Sequence, residues 1–148
     1  MLSRRTLFAI AAVLDTARLA RSKPLPAKSL AARHDVAPRQ FESLLQILVR
    51  ADILKSLRGP HGGYELARER RRISLGDIAR AIDTAKADPK IDSAPPSRLL
   101  GDVIKPTIAD ATAAFLDRLD QTTIEDLCRR ADALGIDADE TTMADFHI

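Results

Sequence analysis

Arg39, Gln40, Glu42 and Ser43 follow a proline in the segment DVAPRQFESLLQILVRAD. Their side chains are of the kinds that hydrogen-bond base edges and phosphates. Further on, Arg58, Gly59, Pro60, His61 and Gly62 place a cation and an imidazole in a stretch whose glycines allow a close backbone approach to a partner. This chemistry is recognition rather than bond-making. No nucleophile stands in a frame with a paired histidine and acid, no phosphate-cradling glycine loop precedes a helix, and no carboxylate pair falls in a predicted cleft, so no enzyme is expected. The bland alternative, a solvated helix face and a plain surface hairpin, fits the periodicity of Arg39–Ser43 equally well.

The chain has one cysteine, Cys128, which excludes an intramolecular disulfide and any multi-cysteine metal site. It falls on the apolar side of a predicted helix, where a thiol acts first as a small buried hydrophobe. Arg129, Arg130 and the nearby helix start could lower its pKa and make it a redox thiol. His34 and His147 have no companions at metal-ligand spacing and read as structural or incidental, so no metal is expected.

Charge divides the chain more sharply than its net of +2 suggests. Residues 1–84 carry 16 Lys+Arg against 8 Asp+Glu, and residues 85–148 carry 7 against 13. The basic part favours a polyanion through counterion release, and the acidic part would be repelled by it. No stretch approaches the roughly 20 apolar residues of a membrane span. SRRTLFAIAAVL resembles an export signal, but Asp15 ends its apolar run early, and Leu7, Ile10, Leu14 and Ala17 recur as one side of a helix. A cytoplasmic protein is expected.

The elements that must hold these residues follow from spacing. After the first helix, prolines between Arg21 and Pro26 break the chain, and a short helix is predicted from Ala27 to His34 with Leu30 and Ala31 inward. In the next helix Phe41, Leu44, Leu45 and Leu48 form the buried stripe, turning Arg39, Ser43, Gln46 and Arg50 outward with Gln40 and Glu42 on the shoulders. Ile53–Leu57 and Tyr64–Arg68 read as two strands of a hairpin tipped by residues 58–63, in which Gly62 and Gly63 can take positive φ. The basic run RERRR then precedes Ser74 and Asp77, whose spacing suits a capping box ahead of Leu75, Ile78, Ala79 and Ile82.

Helix, short helix, helix, hairpin is the order of a winged helix-turn-helix, so the expected fold is mostly α with a small β-wing, residues 1–84 forming the DNA-binding domain. Residues 85–97 read as a proline-rich linker. Leu100, Ile104, Ile108, Ala111, Phe115 and Leu119 step along one long helix, expected to bend at Pro106 and to bury its stripe on a second copy of the chain. Thr122 and Glu125 suggest a capping box for a last helix with Ile124, Leu127, Cys128 and Ala131 on one side. That completes a unit of residues 98–136, and 137–148 read as a flexible acidic tail.

SLRGPHGGYELAR followed by ISLGDI, with TTIEDL after the long helix, resembles the Rrf-two type of bacterial winged-helix regulators, the group of IscR, NsrR and CymR. The likeness extends over nearly the whole chain. It implies a homodimer that binds an inverted-repeat operator in double-stranded DNA and usually represses transcription, with a helix in the major groove and a wing along the minor groove. By position, Ser3, Arg4 and Arg5 match the family's phosphate-contacting start of the first helix. Ala37, Arg39, Gln40, Glu42 and Ser43 match the recognition helix, Glu42 standing where some members read cytosine, and Arg58–Gly62 match the wing tip. One departure is sharp: the stretch AKADPKIDSAPPSRLLGD has none of the three cysteines of cluster-binding relatives, so no cofactor is expected. Further readings keep the fold: control by a bound partner enzyme, as the resemblance to CymR permits, or by a small-molecule effector, and a thiol switch at Cys128.

Overall fold

The computed structural model describes residues 2–84 and 95–136. Most of the expected linker, the acidic tail and His147 lie outside these residues. The architecture is mostly helical with one two-stranded antiparallel sheet.

Helix α1 (Arg4–Leu19) starts at Ser3, whose hydroxyl accepts from the Thr6 amide at 3.2 Å. Its inward face is Thr6, Ala9, Ala12, Val13, Thr16 and Ala17; of the expected line Leu7, Ile10, Leu14 and Ala17, Ala17 is buried, Ile10 and Leu14 pack partly buried against the core, and Leu7 is 55% exposed. The physical reason is crowding: other helices pack against α1, and alanines let their backbones come close, which displaces the larger side chains to the rim. Asp15, which ends the apolar run in the sequence, is nevertheless only 7% exposed. Arg33 at 3.3 Å and His34 at 2.6 Å pair with its carboxylate, as a buried charge requires.

Helix α2 (Ala27–Arg33) buries Leu30 and Ala31 as expected, and a turn with Asp35 at φ 51° leads into α3 (Pro38–Arg50). Pro38 occupies the first turn of α3, where its missing N–H has no intrahelical acceptor, and Phe41, Leu44, Leu45 and Leu48 are buried. Strands β1 (Leu54–Leu57) and β2 (Gly63–Leu66) pair from Leu54↔Leu66 to Leu57↔Gly63. The main chain of Leu25 extends this ribbon, exchanging hydrogen bonds with Tyr64 at 2.9 and 2.8 Å. A single 3₁₀ turn, Arg70–Arg72, joins the hairpin to α4 (Leu75–Thr84). The expected capping box is present: the Asp77 amide donates to the Ser74 hydroxyl and the Ser74 amide to the Asp77 carboxylate, each at 3.0 Å.

The long helix is α5 (Lys105–Asp120), preceded by a π-helical stretch, Leu99–Ile104. There the Lys105 amide donates to the carbonyl of Leu100. Widening the helix just ahead of Pro106 relieves the clash between a proline ring and the carbonyl one turn back, so the helix passes the proline without ending. Helix α6 (Ile124–Ala133) is capped one residue later than its sequence spacing suggested, by Thr123 and Asp126 instead of Thr122 and Glu125. Thr122 is otherwise engaged, its carbonyl accepting from the Leu75 amide at 2.9 Å. Helix α6 packs against α1, and Ile124 and Cys128 join the same core as Phe41 and Leu45.

Candidate nucleic-acid interface

Burial of Phe41, Leu44, Leu45 and Leu48 fixes the rotation of α3, and this leaves Arg39, Gln40, Glu42, Ser43, Gln46 and Arg50 exposed on its other side. From behind, the His34 ring stacks on Phe41 with centroids 5.9 Å apart and meets Phe8 edge-on at 6.3 Å. Of the two readings the sequence left for this imidazole, structural or incidental, the first holds: it is a brace for α3, anchored through Asp15 to α1. Nothing in the local periodicity could reveal this, because Asp15 and His34 are 19 residues apart.

The amino terminus of α1 lies beside α3. Arg4, Arg5 and Phe8 share a cavity of about 570 Å³ with His34, Gln40 and Ser43. The Arg4 guanidinium sits 5.5 Å above the Phe8 ring, which holds the cation at the cavity wall. Arg5, Arg39 and Arg58 have no carboxylate partner among the described residues, whereas Arg70, Arg71 and Arg80 are ion-paired.

The hairpin tip Arg58–His61 is exposed. Of its glycines, Gly59 takes φ +112°, a conformation L side chains rarely adopt. Gly62, expected to use positive φ, does not have it. A Cβ there would stand 2.2 Å from the Leu57 carbonyl oxygen, so closeness of the backbone requires this glycine. At the root of the wing, burial and then the nearby Glu42 carboxylate push the Tyr64 phenol up.

The expected pairing stripe presents a different surface. No residue of α5 is buried, and Leu100, Ile104, Ile108 and Phe115 are exposed apolar side chains, with Ala111 exposed and Leu119 half-buried beside them. The foot of α5 is clamped: Asp120 accepts two hydrogen bonds from Arg80, both 2.7 Å, and a third from the Ser74 hydroxyl at 3.3 Å. These bonds, those from Arg80 foremost, hold the Asp120 carboxyl below the usual carboxylate range. Gly76 makes the clamp possible, since a Cβ there would lie 1.8 Å from the Asp120 oxygen. The signal for it was a glycine inside an otherwise good helix pattern, SLGDI.

Cys128 is 2% exposed. Burial pushes its thiol up, outweighing the opposite pull of Arg70 and Arg18, which are its cationic neighbours in place of Arg129 and Arg130. Among the described residues, no group of three or more His, Cys, Asp or Glu is placed to hold a metal, and no helix is long and apolar enough to cross a membrane.

Comparison with known proteins agrees with this geometry. The profile of the Rrf2 family, described as an iron-dependent transcriptional regulator, matches residues 2–130. The chain is 28% identical over 132 residues to protein rrf2 of Nitratidesulfovibrio vulgaris (strain Hildenborough), covering 88% of each. With the transcriptional regulator IscR of Vibrio cholerae it shares 33% over 76 residues, 51% of this chain and 44% of that protein, so it spans less than half of that relative. Among solved structures, IscR of T. potens superposes with a TM-score of 0.71 at 28% identity, covering 93% of this chain and 92% of that one. A winged helix with an exposed, cation-bearing third helix and a family match over most of its length place this chain in the Rrf2 family of DNA-binding transcriptional regulators.

Proposed function

We propose that this regulator is a cytoplasmic homodimer that represses transcription from an inverted-repeat operator, without catalytic activity and without an iron–sulfur cluster. The observation that carries the reading is the shared surface of α1 and α3, where Arg4 and Arg5 border the same cavity as Gln40 and Ser43. Cations that neutralise phosphates beside side chains that read base edges are what a sequence-specific duplex binder needs. Two copies joined through the α5 stripe present two such surfaces, which suits a two-fold symmetric site.

An iron–sulfur cluster does not fit these residues. It takes about four protein ligands, mostly thiolates. The chain has one cysteine, and that one is buried. The thiol-switch reading is weakened by the same burial, because the reactive species is the thiolate and the surroundings of Cys128 favour the thiol. Control by a bound enzyme or by a small-molecule effector is compatible with the fold.

Footprinting the DNA upstream of the protein's own gene tests the proposal. Two protected half-sites about one helical turn, ~34 Å, apart are expected. Arg39→Ala and Arg58→Ala are expected to weaken protection while leaving the helical content intact. Absence of any protected segment, or protection unaffected by both substitutions, overturns it.

A further inference from the structure

A second cavity, of about 350 Å³, opens at the other end of α1, between that helix, the 3₁₀ turn and the carboxy-terminal end of α6. Arg18, Arg21, Arg70 and Asp132 line it, with Cys128, Gly135 and Ile136. It is separate from the DNA face: the 16 residues of α1 rise roughly 24 Å between Arg4 and Leu19.

The donors in this cavity outnumber its acceptors. The Arg18 side chain is only 9% exposed, and its described partners are the Ile136 carbonyl and the Asp132 carboxylate, both through the same terminal nitrogen. Asp132 stands 3.6 Å away and is 70% exposed, a weak counter-ion for a buried guanidinium. Arg70 engages Glu125 through Nε, and Glu125 is itself shared with Arg129. Arg21 is exposed and has no hydrogen bond or ion pair among the described residues. A guanidinium offers five N–H donors in a planar fork, so even with Arg70 also reaching the Cys128 sulfur, three of them around one cavity leave most of their donors without an acceptor among the described residues.

We propose that this cavity binds a small oxyanion, a phosphate- or carboxylate-bearing metabolite, and is the effector site of the regulator. Oxygens of such an anion accept the unpaired N–H groups bidentately, and burial of Arg18 strengthens those bonds. The effector role, unlike the binding itself, rests on the DNA-regulator reading. Its route is Arg70, which belongs to the turn that joins the wing to α4.

Isothermal titration of the full chain at low salt with inorganic phosphate and, separately, citrate tests the binding and distinguishes the two chemistries. Saturable binding of at least one is expected, weakened about tenfold by Arg21→Gln and by Arg70→Gln, and unchanged by Arg72→Gln on the exposed face of the same turn. Arg18→Gln is not the decisive variant, because removing a buried cation can unfold the protein. No saturable binding of either anion, or binding equally strong in the Arg21 and Arg70 variants, overturns the site whether or not the protein binds DNA. If the anion binds as expected but leaves operator affinity unchanged, the effector role is overturned.

Discussion

Replacing Ile108 with alanine tests whether α5 pairs two copies of the chain. Full burial of an isoleucine side chain stabilises by about 1.5–3 kcal/mol. Ile108 is 59% exposed in a single protomer, so a comparable share of that stabilisation, about 1–2 kcal/mol, is still available to a partner. Two-fold symmetry deletes the side chain on both sides, which raises the cost to roughly 2–4 kcal/mol and the dimer dissociation constant roughly 30- to 900-fold. The protomer itself should hardly notice, since no residue of α5 is buried in it. Sedimentation equilibrium over a dilution series reads the constant, and circular dichroism at high dilution reads the fold of the single chain. A dissociation constant within threefold of the parent's, with the fold intact, refutes the stripe as the interface.

Four further outcomes follow from the geometry. Gly62→Ala drives a methyl into the Leu57 carbonyl, so the wing tip must shift; operator affinity should fall in a mobility-shift assay while thermal melting of the helices is little changed. Cys128→Ser places a hydroxyl at a position only 2% exposed, and urea unfolding should show a loss of about 1–3 kcal/mol; in the parent, alkylation of the thiol at neutral pH should be slow until denaturant is added. The carboxyls of Asp126, bonded first to the Thr123 amide, and Asp120, bonded to Arg80, are held below the usual range in the fold. Their contribution to stability is therefore complete above the unfolded carboxyl value of roughly 4 and is lost as pH falls through the lower folded values, so Asp120→Asn should flatten the acid limb of a pH–stability curve. Protein incubated anaerobically with iron and sulfide should stay colourless, and visible absorbance with stoichiometric iron would show a cluster.

Much of the fold was legible where one periodic signal dominated. The Phe41, Leu44, Leu45, Leu48 stripe dictated which side of α3 is exposed, and the glycine-rich hairpin marked the wing. Helix α1 was legible as a helix but not in its rotation, because a helix packed closely on several neighbours buries small residues and sends Leu7 outward. The Asp15–His34 brace and the Asp120–Arg80 clamp join residues distant in sequence, and only tertiary packing brings them together. The cap of α6 slipped by one residue because Thr122 and Thr123 both suit the role, and backbone pairing of Thr122 with Leu75 settles which one is free to cap.

The most direct measurement is the affinity of the protein for operator duplex across a series of salt concentrations. Log affinity should fall steeply and linearly with log salt, and in Arg5→Ala the slope should flatten by roughly 2 units, about one for each copy in the dimer. Affinity indifferent to salt, or a slope that the substitution leaves unchanged, would contradict the placement of DNA on the face shared by α1 and α3.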